Sequence, residues 1–172
     1  SESHWPAGEL VSVIGFLDDP DVETTVVMKK YGLSAEFPEP VDQEAADQPT
    51  ALVDSDIADR TDFRQRETIT IDPATARDFD DAVDVEELSG GGFRLGVHIA
   101  DVAHFVQMGS EVDKEARRRG CSVYFPDRVV PMLPEKLSND ICSLNPRTDR
   151  LAMSAVIDIS ADGDITGASF HN

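Results

Sequence analysis

Alternation of apolar and polar residues predicts several short strands along this chain. The alternating residues 8–17 end in the turn sequence DDPD, and residues 68–71 and 81–88 carry a similar pattern. The sequence SGGG then predicts a hairpin turn into residues 93–106, which are too apolar for a strand with one solvated face. Residues 150–170 predict a second hairpin, with its turn at ADGD.

Three further segments lie between residues 106 and 150. Residues 111–120 predict a helix that ends at Gly120, and residues 134–143 predict a short helix. Residues 122–134 are expected to be extended, because three prolines interrupt them. Since strands and helices do not alternate regularly, the pattern predicts an α+β fold.

The first third of the chain is harder to assign. Residues 21–32 contain a β-branched run that favours a strand, but Asp21 as an N-cap and Gly32 after two lysines favour a helix, which we expect. Residues 37–62 are acidic, with three prolines and few large apolar residues. We therefore expect a linker with one or two helical turns there, and a domain boundary near residues 50–66.

The composition limits the classes of function. The chain has 172 residues, with 34 Asp and Glu against 15 Lys and Arg, which gives a formal net charge of −19. Such acidity argues against a nucleic-acid-binding surface, because phosphates are bound by Lys and Arg. A metal site or plain solubility is the more usual explanation of so acidic a chain.

Cysteines and apolar stretches bear on the compartment. Cys121 and Cys142 lack zinc-binding spacing, so they form one disulfide or two free buried thiols, of which we expect the thiols. No apolar stretch approaches the roughly 20 residues of a membrane span, and no signal peptide leads the chain. We expect a cytoplasmic protein with no membrane contact. The start at Ser1 and the end within a predicted strand lead us to expect a piece of a longer chain.

Three motifs allow a functional interpretation but have simpler explanations. Residues 158–165 begin like an EF-hand calcium loop, but Ser169 stands where its last carboxylate belongs, which favours a hairpin turn. His98, Asp101 and His104 would form a ligand stripe on a helix. Their β-branched surroundings instead favour hydrogen-bonded core or sheet-edge residues, with both histidines on one face of a strand. The basic run ARRRG favours a solvated helix face over an RNA contact.

Four aspartates crowd into the short stretch ITIDPATARDFDDAVDV. Asp72, Asp78, Asp80 and Asp81 lie within ten positions, between two apolar runs. An acidic, solvated turn is the simplest explanation, but two charges about 4 Å apart repel by roughly 4 kcal/mol at an effective dielectric near 20. The irregular DPATARD lets the four side chains converge, and oxygen ligands suit Mg²⁺ or Mn²⁺. The stretch therefore favours a metal site, and paired metals often serve attack on a phosphodiester.

This stretch and its surroundings resemble a known family. The sequences TIDPATARDFDDAV, FRLGVHIADVAHFV and DKEARRRGCSVYFPDRVVPMLPEKLSNDICSLNPRTDRLAMS are similar, in this order, to the catalytic (RNB) domain of the ribonuclease II and ribonuclease R family of processive 3′→5′ exoribonucleases, and closer to ribonuclease R. This likeness covers about residues 60–172. Residues 6–40 resemble, more loosely, the end of the cold-shock (OB-fold) region that precedes the domain. We therefore expect the end of that region and a linker in residues 1–49, and the N-terminal part of the RNB domain in residues 50–172.

The resemblance implies roles for individual residues. Asp72 and Asp81 would hold the Mg²⁺ (or Mn²⁺) that binds the scissile phosphate, while Asp78 and Asp80 would complete the site and a second metal that activates the attacking water. Activity would depend most on Asp80. Tyr124, for which a core position is the less favoured alternative without the family, would stack on a base near the 3′ end of single-stranded RNA. The full-length protein would be a monomer that releases 5′-mononucleotides.

The resemblance also resolves the conflict with the acidic composition. It implies that the basic RNA channel and the second half of the active site belong to parts of the family's domains outside this chain. Metal binding without RNA degradation is therefore one expected behaviour of the chain alone. The alternative function is that of a non-catalytic, truncated homologue that binds RNA or a partner. Retention of all four aspartates favours the enzyme, because clustered anions have little other physical purpose.

Overall fold

The computed structural model describes residues 8–16 and 18–172, as an α+β protein. It forms two compact units, a smaller one that ends at Glu36 and includes Val123–Val130, and a larger one of Phe37–Ser122 and Pro131–Asn172. The helices are α1 (Val22–Tyr31), α2 (Glu39–Asp47), α3 (Asp54–Ile57), α4 (Val102–Phe105), α5 (Glu111–Arg119) and a π-helical segment, Lys136–Ile141. The strands are β1 (Asp81–Glu87), β2 (Phe93–Ala100), β3 (Val123–Tyr124), β4 (Val129–Val130), β5 (Ala152–Ile159) and β6 (Ile165–His171).

Four of these strands form one antiparallel sheet in the larger unit. Their order is β1-β2-β5-β6, so both predicted hairpins are confirmed. Strands β2 and β5 are also paired, although α4, α5 and the π-helical segment lie between them in sequence. The turn between β1 and β2 needs Gly92, whose φ is +85° and whose added Cβ would overlap the carbonyl of Ile159. The predicted helices 111–120 and 134–143 are confirmed as α5 and the π-helical segment.

The two faces of the sheet differ in their side chains. One face places Asp84, Gly96, His98 and Ser154 in neighbouring register positions, and all four are buried. The opposite face is apolar and partly open to solvent, which differs from the two-sided burial expected for residues 93–106. Its exposed side chains include Val85, Ile99, Met153 and Phe170.

Helix α2 belongs to the core and is not part of a linker. Val41 and Ala45 are buried together with Phe105, Val112 and other residues of the larger unit. The spacing of four residues puts Val41 and Ala45 on one side of the helix, and the acidic and proline residues around them concealed this stripe in the sequence. The helical turns expected within residues 37–62 are therefore confirmed, but the packing of this helix into the core was not predicted. The assignment of residues 1–49 and 50–172 to different family domains stays a prediction.

The N-terminal predictions have mixed outcomes. Residues 8–16 form no strand, and Leu10 and Val11 are 80% and 91% exposed, because no partner strand covers them. The last residue of that predicted strand, Leu17, lies outside the described residues. Residues 21–32 are helical, as expected, and the helix ends at Gly32 with φ +65°. Of the predicted strand 68–71, only the bridge between Ile69 and Val83 forms.

Helix α5 is anchored by a buried carboxylate. The Glu115 side chain is 7% exposed and pairs with Arg118 and Arg119. Arg119 is 6% exposed, and its guanidinium carbon lies 3.7 Å from the centre of the Phe37 ring. The basic run ARRRG is therefore solvated only in part, because Arg119 packs inward while Arg117 stays exposed.

We expect the Glu115 ion pairs to make stability depend on pH. The hydrogen bond from Arg118 is the main cause that lowers the pKa of Glu115 from 4.5 to about 2; Arg119 lowers it further, while burial acts in the opposite direction. Since the folded-state pKa is the lower one, the stabilisation is complete above about pH 4.5 and is lost as the pH falls towards 2.

Glu115→Gln should therefore lower the free energy of unfolding by an amount on the order of 2 kcal/mol at neutral pH. The loss should become smaller as the pH falls below 4.5, the pKa of Glu115 in the unfolded chain. Urea unfolding at pH 7 and pH 3 measures this. Glu111→Gln in the same helix is the matched control, because its pair with Lys114 is exposed and should contribute little. A loss that is equal at both pH values would contradict the assignment.

Several smaller predictions are also settled. Residues 160–164 form the hairpin turn, and Asp158 is paired with Arg94, so the EF-hand interpretation is wrong. Cys121 and Cys142 are both free, although Cys121 is exposed, and burial raises the pKa of Cys142 to about 12. Within residues 8–16 and 18–172, no helix has the length and apolar character needed to cross a membrane.

Candidate metal and RNA site

The predicted metal ligands lie where an irregular segment enters the sheet. Asp81 is the first residue of β1 and pairs with Ile99. The carbonyl of Asp80 accepts a hydrogen bond from the backbone N–H of Ala100 at 2.9 Å, which aligns the segment with β2. The side chains of Asp72, Asp80 and Asp81 are exposed, and that of Asp78 is half-buried.

The four carboxylates interact electrostatically. Partial loss of hydration raises the pKa of Asp80, and the charges of Asp78, Asp81 and Asp72 raise it further, in that order. Over the described ranges 8–16 and 18–172, however, no group of three or more His, Cys, Asp or Glu side chains is arranged to hold a metal ion. The expected convergence of the four side chains is not seen in these residues. Their oxygen donors fit a hard divalent cation chemically, and the ligand assignment stays a prediction.

A buried serine fixes the backbone between these aspartates. The hydroxyl of Ser143, which is 1% exposed, donates to the carbonyl of Arg77 at 2.8 Å and accepts from the N–H of Phe79 at 3.0 Å. The N–H of Leu144 also donates to the carbonyl of Phe79 at 2.9 Å. These bonds hold the chain on both sides of Asp78, so Ser143 is a positioning residue that the sequence alone did not indicate.

Ser143→Ala should weaken divalent-metal binding. The substitution removes the hydroxyl that bonds the carbonyl of Arg77 and the N–H of Phe79, at a cost of about 1 kcal/mol per hydrogen bond, and loosens the backbone around Asp78. We expect Mn²⁺ affinity, measured by isothermal titration, to fall about tenfold, as it does when supporting groups of a metal site are removed. Ser138→Ala is the control, because that hydroxyl donates only to the neighbouring Asn139 side chain. Equal affinities of the two variants would exclude a positioning role.

A buried polar network lies just beyond the start of β1. Asp84 Oδ2 is 2.7 Å from His98 Nε2, and His98 Nδ1 is 2.7 Å from Ser154 Oγ. Because a carboxylate only accepts hydrogen bonds, Nε2 donates, and in the neutral ring Nδ1 accepts from the hydroxyl. Arg66 Nη1 donates to the other carboxylate oxygen at 3.0 Å. Opposite Asp84 stands Gly96, where an added Cβ would overlap the carboxylate.

The motif formed by His98, Asp101 and His104 also has a structural role. Asp101 is buried and paired with Arg60 at 2.6 Å, and His104 Nε2 lies 3.4 Å from Asp56. The preference for hydrogen-bonded residues over a ligand stripe is confirmed. The expected sharing of one strand face by both histidines is wrong, because β2 ends at Ala100 and His104 lies in α4.

Tyr124 lies in the smaller unit, at the end of the two-residue strand β3. Its residue surface is 64% exposed, so it is not a core residue. An exposed aromatic ring offers a face on which a base can stack, whatever the base. The RNA-binding role of Tyr124 stays a prediction.

Comparison with known proteins identifies the larger part of the chain. The family model for the RNB domain matches residues 60–172. The ribonuclease R of Thermotoga maritima is 48% identical over 162 residues, a match that covers 93% of this chain and 23% of that protein. Other curated relatives are matched over 19% and 20% of their length, so this chain spans about a fifth of such proteins.

Two solved structures are similar in fold. The RNase R of Mycoplasma genitalium, in complex with double-stranded RNA, has a TM-score of 0.85 and 36% identity, over 92% of this chain and 28% of that one. Yeast Ssd1, described as a pseudonuclease, has a TM-score of 0.75 and 25% identity, over 93% of this chain and 20% of that one. Since the RNB model covers residues 60–172, the chain belongs to the RNB-domain family.

Proposed function

We propose that this chain is the N-terminal part of the catalytic domain of a 3′→5′ exoribonuclease, which degrades single-stranded RNA processively to 5′-mononucleotides. The observation that carries the proposal is the position of Asp72, Asp78, Asp80 and Asp81 in the segment that leads into β1, inside the region that matches the RNB model, where the other three charges help to raise the pKa of Asp80. Four mutually repelling carboxylates are costly to keep together unless cations bind them.

The proposed chemistry assigns a part to each aspartate. Asp72, Asp78, Asp80 and Asp81 would hold Mg²⁺ or Mn²⁺ in a two-metal site. Such ions stabilise charge on the attacked phosphate and lower the pKa of the attacking water. The water would lose a proton and its oxygen would bond to phosphorus while the bond from phosphorus to the 3′ oxygen of the preceding nucleotide breaks. That oxygen would take up a proton and leave as a 3′ hydroxyl, and the terminal nucleotide would be released with its 5′ phosphate. The chain's own contribution is to present the carboxylates on a backbone that Ser143 fixes.

Substrate binding would use Tyr124 in this chain. Stacking on its exposed ring contributes about 1–3 kcal/mol per base and does not depend on base identity. An exonuclease that degrades every sequence from a single-stranded 3′ end requires such tolerance.

A non-catalytic RNA-binding or partner-binding protein is the second candidate. The likeness to yeast Ssd1, a pseudonuclease, favours it, because the fold is shared with a relative described in this way. The two candidates differ in one measurable respect, which is metal-dependent shortening of RNA.

The test uses this chain alone and a chimera in which it replaces the matching segment of the Thermotoga maritima ribonuclease R. Single-stranded oligoadenylate is labelled at the 5′ or the 3′ end and incubated with Mg²⁺ or with EDTA. The enzyme function predicts that the chimera releases the 3′ label at once as a mononucleotide and shortens the 5′-labelled strand progressively, only with Mg²⁺. A folded chimera that binds RNA but never shortens it supports the non-catalytic candidate.

A further inference from the structure

An arginine-lined cavity of about 680 Å³ lies in the larger unit, on the polar face of the sheet. Its lining contains five arginines, one third of the 15 basic residues, against three aspartates (Asp54, Asp62 and Asp149), in a chain of net charge −19. The concentration of cations runs against the overall charge and is therefore a local feature. The five are Arg60, Arg64, Arg66, Arg147 and Arg150.

Four of these arginines are paired with neighbouring carboxylates, and for three of them, unlike Arg60, no buried donor is left without a partner among the described residues. Arg64 pairs with Asp62 and Asp149 at 2.7 and 3.1 Å. Arg66 is bonded to the buried network at Asp84, and Arg150 pairs with Asp140 at 3.2 Å. These residues shape the wall, and the binding capacity of the cavity rests on the other two.

Arg60 has an unused donor. Its Nη2 pairs with Asp101 at 2.6 Å and its Nε donates to the carbonyl of Asp56 at 2.9 Å. Nη1 is buried, and it finds no hydrogen-bond partner in the described part of the chain. A buried donor without an acceptor costs about 1–3 kcal/mol, so an acceptor that enters the cavity would recover this energy.

Arg147 is held in a conformation that other residues rarely adopt. Its φ is +61°, and it is the one non-glycine residue with positive φ in residues 8–16 and 18–172. Across those same residues it is assigned no hydrogen bond and no ion pair, although the chain is rich in carboxylates. Such backbone strain is frequent at ligand-binding positions. Arg147 is thus an exposed cation at the cavity that forms no ion pair with a carboxylate of the described residues.

We propose that this cavity binds a backbone phosphate of the RNA strand, with Arg147 and Nη1 of Arg60 as its donors. The proposal rests on the function proposed above and adds a phosphate subsite to it. Guanidinium groups suit phosphate oxygens in charge and geometry. The volume lies in the range of cavities that hold organic ligands, so a nucleotide unit fits along with its phosphate.

The position of the cavity favours RNA over an acidic protein segment. Leu144 lines the cavity, and its backbone N–H donates to the carbonyl of Phe79, which lies between the predicted metal ligands Asp78 and Asp80. An RNA strand whose terminal phosphate is held at the aspartates therefore reaches the cavity within a short distance. A protein segment has no comparable attachment next to it.

The test is RNA binding by the 172-residue chain in EDTA, so that metal-held RNA does not contribute. Fluorescence anisotropy with a labelled oligoadenylate is followed over a range of salt concentrations. Arg147→Gln should weaken binding about tenfold and reduce the slope of log affinity against log salt by about 0.7 to 1, the loss of one phosphate contact. Arg60→Lys keeps the charge and a partner for Asp101 but removes Nη1, so affinity should fall about threefold with the slope unchanged.

Arg117→Gln is the matched control, because Arg117 is exposed on α5 outside the cavity. It should change affinity less than twofold, and equal losses for Arg117→Gln and Arg147→Gln would overturn the proposal. Adenosine 5′-monophosphate and oligoglutamate are added as competitors. A site that prefers the free nucleotide, or one that oligoglutamate blocks as well as RNA does, also overturns it. If the chimera degrades RNA while the chain shows no Arg147-dependent binding, the phosphate subsite fails and the proposed function stands.

Discussion

Asp80→Asn is expected to lower the rate of RNA shortening by the chimera at least about 100-fold. The substitution removes one anionic oxygen from a predicted metal ligand, so it weakens the metal's hold on the phosphate, and loss of such stabilisation of developing charge typically costs this much or more. Affinity of the chain for Mn²⁺ should fall as well. The measurement is the rate of release of the 3′-terminal nucleotide under single-turnover conditions.

A measurement of the free energy of unfolding distinguishes the expected loss of RNA shortening from misfolding of the variant. The pKa of Asp80 is raised in the folded chain, so its ionised form disfavours folding at neutral pH, and an uncharged residue relieves that repulsion. The free energy of unfolding of Asp80→Asn should therefore stay the same or rise. Asp162→Asn, in the exposed turn between β5 and β6, is the matched control and should leave both rate and Mn²⁺ affinity unchanged. Equal rates for the wild type and Asp80→Asn would exclude the proposed catalytic site.

Gly96→Ala is expected to lower the free energy of unfolding by about 3 kcal/mol. A Cβ at this position overlaps the carboxylate of Asp84, which is 6% exposed and cannot move into solvent without losing its partners. Displacing it breaks the 2.7 Å contact with His98 and the 3.0 Å contact with Arg66. Disruption of a buried ion pair usually costs about 3–5 kcal/mol. Urea unfolding followed by circular dichroism measures the change.

Two comparisons test the cause of that loss. Gly167→Ala places the same methyl group on strand β6, where nothing lies within 4 Å, and should change stability only slightly. In a background with Asp84→Ala, the overlap disappears, so the additional cost of Gly96→Ala should shrink below about 1 kcal/mol. If Gly96→Ala costs the same with and without Asp84, the steric explanation is wrong.

Much of the fold could be predicted from local patterns. The spacing of apolar residues and the turn residues, which act over a few positions, predict the hairpin turns and strand β1. They also predict α5 with its end at Gly120. The packing of α2 into the core was missed because its buried stripe consists of only Val41 and Ala45 among acidic neighbours. Residues 8–16 carry a strand-like period without a partner strand, which a local pattern cannot supply.

Some residues of the candidate site could also be predicted from the sequence, whereas others could not. The four aspartates are recognisable because they lie close together in sequence, and the residues around them resemble the sequence motifs of the family. Ser143 is not recognisable, because its contact with Arg77 and Phe79 joins residues more than sixty positions apart. Arg147 and Arg60 are ordinary surface-type residues in the sequence. Only the fold shows that one lacks a carboxylate partner and that the other has a buried unused donor.

The open apolar face of the sheet gives the acidic composition a second meaning. This face exposes apolar side chains to water, among them Val85, Ile99, Met153 and Phe170. Exposed apolar surfaces promote association between molecules. A net charge of −19 opposes this by keeping molecules apart at low ionic strength. Salt screens that repulsion within about 10 Å at 0.1 M and leaves the attraction between apolar faces in place. The colloidal behaviour of the chain is therefore governed by ionic strength, and dilute buffers are the conditions in which it stays dispersed.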